Sequence, residues 1–182
     1  MRRSARLGVV AALSATIVAC GGSPSGPSGP ATSTFLSFKS DPGDYIGAGQ
    51  SHSYALADGT WQTLADFGDT RTTNHVRVTV QNIAVAGWWW DVDLAAPKGQ
   101  MLAVGAYEDA RRYPFQPTTQ PGLNFDGTGR GCNTLTGRFV ILDIALGPGN
   151  TVDRLHATFE QHCEGGSPAL TGEISVAANP WR

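Results

Sequence analysis

The sequence predicts an all-β fold: an antiparallel β-sandwich of the jelly-roll or Greek-key type, closed by one disulfide. Three observations predict it. Apolar residues recur with a period of two, turn signals break these runs at short intervals, and two cysteines about 30 residues apart follow an export signal.

The alternation is cleanest at His75-Val76-Arg77-Val78-Thr79-Val80, where the valines share one face. Trp88, Trp90, Val92 and Leu94 share a face of the next run, with Trp89, Asp91 and Asp93 on the other. Leu155, Ala157, Phe159 and Cys163 oppose His156, Thr158, Glu160 and His162; Leu170, Gly172, Ile174 and Val176 repeat the pattern near the end. Residues 138–144, around Phe139, Val140, Ile141 and Leu142, are apolar on both faces, as in a central strand covered on both sides. Turn signals stand at Asp41-Pro42-Gly43-Asp44, Asp58-Gly59, Asp126-Gly127, Gly147-Pro148-Gly149-Asn150 and Gly165-Gly166. The fourth is expected to join 139–146 to 152–163 as a hairpin. Residues 107–112 are read as a single helical turn. The Pro-rich segment 112–122 is too stiff and too poor in N–H donors for a central strand, and is expected as a loop.

The chain has 182 residues, a size that suits one domain with a proper core. Its formal charge of −2 lacks the basic excess of a nucleic-acid binder. With 23 Gly and only 15% charged residues it is unlike a helical bundle or coiled coil.

Residues 1–19 read as an address. Arg2, Arg3 and Arg6 precede an apolar or small-residue run, 7–19, too short to span a bilayer, which needs about 20 residues. The run ends in Ile17-Val18-Ala19-Cys20, which resembles the bacterial lipobox, with Cys20 as the lipidated mature N-terminus. Residues 20–33 are rich in Gly, Ser and Pro, a composition that makes a tether and cannot pack a core. The globular body is 34–182. The expected location is the bacterial cell envelope, anchored to the membrane and facing away from the cytoplasm, with Gly21 favouring an outer membrane where one exists. Losing the signal lowers the basic count from 13 to 10 against 15 acids, a mildly acidic body of −5.

Cys132 and Cys163 then remain in an oxidising compartment, and a structural disulfide is the favoured reading; neither has the CxxC spacing of common metal or redox sites.

Four segments carry a family resemblance: Ser40-Asp41-Pro42-Gly43-Asp44-Tyr45-Ile46-Gly47, Arg112-Tyr113-Pro114-Phe115, Gly129-Arg130-Gly131-Cys132-Asn133 and Phe159-Glu160-Gln161-His162-Cys163-Glu164-Gly165. Together they resemble a β-rich module of secreted bacterial proteins, found alone or beside other extracellular domains. The likeness covers about residues 35–176. It implies the Cys132–Cys163 bridge and no particular activity.

Among chemistry-bearing groups, His156, Glu160 and His162 share a face, but at about 3.3 Å per residue the two histidines stand roughly 20 Å apart, too far for one zinc. Asp41, Asp44, Asp66, Asp69, Asp91 and Asp93 are acidic pairs of the type that hold calcium, so a structural calcium is the one cofactor left open; the same acids are also the parts of a glycosidase pair. Trp89 beside Asp91 and Asp93 has the make-up of a sugar-binding surface, a ring for stacking and acids for hydroxyls; the plainer reading is that a loop covers it. Arg130 and Asn133, flanking Cys132, are expected to meet Glu160 or Glu164 near the bridge as a salt-bridge or hydrogen-bond cluster or a polar ligand pocket, and His162 is a further candidate ligand-binding residue. No GxSxG elbow, Walker or dinucleotide motif occurs, and no catalytic residue is assigned. The expectation is a non-catalytic envelope binding module for a glycan or another envelope protein. A carboxylate-dependent extracytoplasmic hydrolase and a purely structural envelope protein are the alternatives.

Overall fold

The computed structural model describes residues 31–66, 74–81 and 88–178. The expected signal segment 1–19, Cys20, the expected tether as far as residue 30, and Asp69 lie outside the described residues. Among the described residues ten strands form one sheet: β1 Phe35–Ser40, β2 Ser51–Ala55, β3 Thr60–Asp66, β4 His75–Gln81, β5 Trp89–Ala95, β6 Gly105–Arg112, β7 Gly122–Gly127, β8 Leu135–Leu146, β9 Val152–Cys163 and β10 Leu170–Val176. A 3₁₀ turn, Leu56–Asp58, links β2 to β3. The order across the sheet is β2-β1-β10-β9-β8-β6-β7-β5-β4-β3. Every neighbouring pair is antiparallel except β6 and β7, which run parallel over only Arg111↔Gly122 and Arg112↔Leu123.

That two-residue ladder is the corner about which the sheet curls. Phe38 of β1 meets Trp90 of β5 at 4.7 Å and Phe125 of β7 at 5.0 Å, and Phe125 meets Phe159 of β9 at 5.2 Å between ring centroids. Six strands, β2 to β6 in sheet order, therefore face four, β7 to β3, across a shared core. The two layers expected from the sequence are halves of one continuous sheet. β7 touches β9 near its Cys163 end, whereas the Ala65 N–H of β3 donates to the Asn150 carbonyl (2.8 Å) beyond its Val152 end. The strands from β7 to β3 are thus stepped along the length of β9.

The corner creates a backbone problem, and one side chain solves it. Past Leu123, β6 departs into the 113–121 loop, and the Phe125 peptide groups lose a strand to pair with. Gln161, fully buried on the core face of β9, accepts from the Phe125 N–H (2.9 Å) and donates its amide to the Phe125 carbonyl (2.8 Å). Each group left unpaired in this core would cost about 1–3 kcal/mol.

The alternation holds where the ladders are regular. Val76, Val78, Val80, Val92, Leu94, Leu155, Ala157, Ile174 and Val176 are buried, and Trp90 faces inward with them. Gly172 belongs to this set because a Cβ there would stand 2.2 Å from the Phe159 ring. The two-sided apolar run of β8 has a different cause from the one expected. A bulge between Ile141 and Asp143 shifts the phase by one residue, so Phe139 and Ile141 point inward before it and Ile144 packs on the core after it. The outward Val140 is only half-buried. The expected helical turn at 107–112 is instead the second half of β6, with a bulge between Tyr107 and Ala110 and Asp109 at φ +55°. The turn expected at Asp126-Gly127 comes just later, since β7 runs through Gly127 and reverses over Thr128 and Gly129.

The 147–150 turn joins β8 to β9 as a hairpin, and the 112–122 segment is a loop once β6 has ended. Cys132 and Cys163 are bonded, with Cα atoms 5.2 Å apart. Closing a loop of 31 residues stabilises the fold by about 3–4 kcal/mol in the chain-entropy picture.

Candidate functional site: the outward carboxylate face of β4, β5 and β7

Antiparallel register turns the outward residues of three strands into rows. Arg77, Asp93 and Asn124 are directly opposed across β4, β5 and β7; Thr79, Asp91 and Asp126 form the next row. Trp89 follows beside Gln81 at the end of β5. The structure therefore places Trp89, Asp91 and Asp93 on one outward face, as their spacing predicted, and adds residues the sequence reading did not assign to it: Asn124 and Asp126 from β7, and His75, Arg77 and Thr79 from β4. The alternation of β4 held the clue to the last three, since its polar residues must face outward if its valines face in.

Asp93 does not behave as an exposed ligand. It is fully buried, although it lies on the side of the sheet away from the core. His75 Nε2 donates to its Oδ1 at 2.8 Å, Arg77 Nε donates to the same oxygen at 2.7 Å, and Arg77 Nη2 and Asn124 Nδ2 approach Oδ2 at 3.2 and 3.3 Å. The cover comes from the 113–121 loop, whose Tyr113 ring stacks on His75 with centroids 4.0 Å apart. Burial alone would push the Asp93 carboxyl up, but the bonds from His75 and Arg77 prevail and hold it below the usual range.

Asp91 and Asp126 are half-buried and directly opposed. Thr79 Oγ1 donates to Asp91 Oδ1 at 2.5 Å, and Asn124 Nδ2 donates to Asp126 Oδ1 at 2.9 Å. Burial raises the Asp91 carboxyl. Burial first, then the charges of Asp91 and Asp93, push Asp126 up to about 6. Like charges facing each other across a ladder repel, and a proton on Asp126 relieves that repulsion. The face thus offers a half-exposed indole, one carboxyl that holds its proton into the mildly acidic range, and amide and hydroxyl groups beside them.

The residues around the disulfide take separate structural jobs. Glu164 accepts from the Asn133 N–H (2.5 Å) and the Thr134 N–H (3.3 Å), which fixes the turn before β8. Arg130 meets neither Glu160 nor Glu164; it reaches the Tyr45 and Ile46 carbonyls at 3.4 and 3.1 Å and ties the β7–β8 loop to the β1–β2 loop. Glu160 pairs with Arg138 at 3.0 Å, and His162 stands 3.4 Å from it. The expected single cluster is therefore two, because Glu160 points outward from β9 whereas Arg130 leaves a loop toward β1. His156 bonds Glu173 at 2.8 Å, well apart from His162.

Asp44 and Asp41 close the β1–β2 loop: Asp44 accepts from Ser40 Oγ and the Gly47 N–H, both at 2.7 Å, and Asp41 accepts from the Ala169 N–H at 3.1 Å. Among the described residues no three His, Cys, Asp or Glu side chains converge to hold a metal ion. Comparison of the chain with protein-family models, with curated proteins and with solved structures finds no match.

Proposed function

We propose that this chain is a lipid-anchored protein of the bacterial envelope whose outward β4–β5–β7 face binds a hydroxyl-rich ligand, a glycan in the first place. One observation carries the ligand class: the half-exposed Trp89 shares a face with the Asp91–Asp126 pair and with Thr79 and Asn124. Sugars take apolar area from a ring and hydrogen bonds from carboxylates and amides. The lipobox-like Ile17-Val18-Ala19-Cys20 and the tether behind it support the anchor. The reading also accords with the resemblance to secreted bacterial β-rich modules.

Retention on a polysaccharide array tests the ligand. Wild type should be retained on at least one glycan and Trp89→Ala should lose that retention; a wild type that binds none would retire the idea. Cys20→Ala should give a non-acylated protein released from the membrane, and continued membrane retention would count against the anchor.

Opposed carboxyls with one raised to about 6 are also the parts of a hydrolase. Directly opposed side chains stand about 5 Å apart at Cβ, near the separation of a retaining glycosidase pair. On that second reading a retained polysaccharide would be cleaved by wild type and bound but left intact by Asp126→Asn. Binding is preferred because Thr79 and Asn124 already engage both carboxyls.

A further inference from the structure

The β5–β6 connection and the end of β8 enclose a shallow recess of about 410 Å³, lined by Met101, Leu102, Ala103, Val104, Ile144 and Leu146. Every described residue that lines it is apolar. Leu102, 2% exposed, forms its floor, while Met101 and Val104 stand 61% and 66% exposed at its rim. Exposed apolar residues of this kind gain when they leave water for an apolar medium.

The recess lies beside the start of the described chain. The Ala31 N–H donates to Asp143 Oδ2 at 3.1 Å, one residue before Ile144, and Arg154 clamps that carboxylate from β9. Only residues 21–30 separate this contact from Cys20. The eleven steps of chain from Cys20 to Ala31 reach at most about 40 Å when fully extended. An acyl chain on Cys20 would therefore keep the β8 end of the body close to the lipid surface, at an effective concentration that lets a small apolar contact count.

We infer that Met101, Val104, Ile144 and Leu146 form a docking patch for the interfacial region of a lipid bilayer, which would set the orientation of the body on its membrane; this rests on the anchored reading above. The opposite end of β1, with Tyr45 in the β1–β2 loop, then faces away from the lipid.

The test uses the acylated full chain in phosphatidylethanolamine–phosphatidylglycerol vesicles with brominated acyl chains, and a bimane label on Val104→Cys or, as a second position, Met101→Cys. Both labels should be quenched at least about threefold more than a label on Tyr45→Cys, as for a surface sunk into the acyl boundary. Equal quenching at the two ends, with acylation confirmed by mass spectrometry, would overturn the docking and leave the anchor standing. Absence of the acyl mass would overturn both. An emission shift that grows with protein concentration without lipid quenching would assign the patch to a second copy and overturn the bilayer as its occupant.

Discussion

The Arg77–Asp93 and Arg138–Glu160 pairs are made of the same parts: an arginine on one strand and a carboxylate directly opposite on its antiparallel neighbour, both on outward faces. Their surroundings differ. Asp93 is fully buried beside an Arg77 that is 42% exposed, and it also takes His75 and Asn124. Glu160 is 31% exposed beside an Arg138 that is 57% exposed, on the rim of a broad open concavity of about 640 Å³. Position in the sheet is equivalent, so the difference comes from cover: the 113–121 loop lies over the first pair and nothing among the described residues lies over the second. A covered charge depends on every partner, whereas an open one is served by water.

Four substitutions probe this contrast. Asp93→Ala leaves Arg77 and His75 without this acceptor and Asn124 with Asp126 alone, and chemical denaturation should show a loss of about 3–5 kcal/mol. Gln161→Leu asks whether burial without charge weighs similarly. It orphans the Phe125 N–H and carbonyl, and the same measurement should show a loss of about 2–4 kcal/mol.

Asp126→Asn should act in the opposite direction. The folded chain holds the Asp126 proton up to about pH 6, against an ordinary value of 3.8, so the folded state binds more protons between these values. Its contribution to stability is fully present below about pH 4 and is lost as pH rises through 6. The variant should therefore gain on the order of 1 kcal/mol at pH 7.5, a figure already discounted for partial exposure, and that gain should vanish at pH 4. A gain independent of pH would mean that the like charges are not its source.

Glu160→Gln should cost less than about 1 kcal/mol, and added salt should shrink even that. A loss as large as that of Asp93→Ala would erase the contrast between the two faces.

Much of the scaffold was legible in the sequence because regular ladders preserve a period of two. The valines of β4, the inward Trp90 and the 147–150 hairpin followed from it, and the reading of residues 1–19 as an export signal, which leaves two cysteines, pointed to the bridge. The misreadings sit where the period breaks. At Leu142 a bulge changes phase inside an apolar run, and at Asp109 a left-handed residue bends β6, so local pattern suggested a doubly covered strand and a helical turn. For the candidate site, alternation placed Trp89, Asp91 and Asp93 together, yet it equates outward with wet. Asp93 is dry because Tyr113, 20 residues on, folds back over His75, and a single strand's pattern carries no trace of such a cover. Asp126 escaped notice because its partnership with Asp91 exists only in the β5–β7 register.

The pairing of β1 with β10 has a consequence for how the molecule comes into being. Phe35 lies opposite Ser175, and β1 is wedged between β2 and the last strand of the chain. Until that last strand is present β1 can pair only with β2, so the sheet closes only once the chain some 140 residues beyond Phe35 has been made, a slow, non-local assembly. If the chain is exported as proposed above, threading from its N-terminus, such lateness would keep it pliable until it had passed.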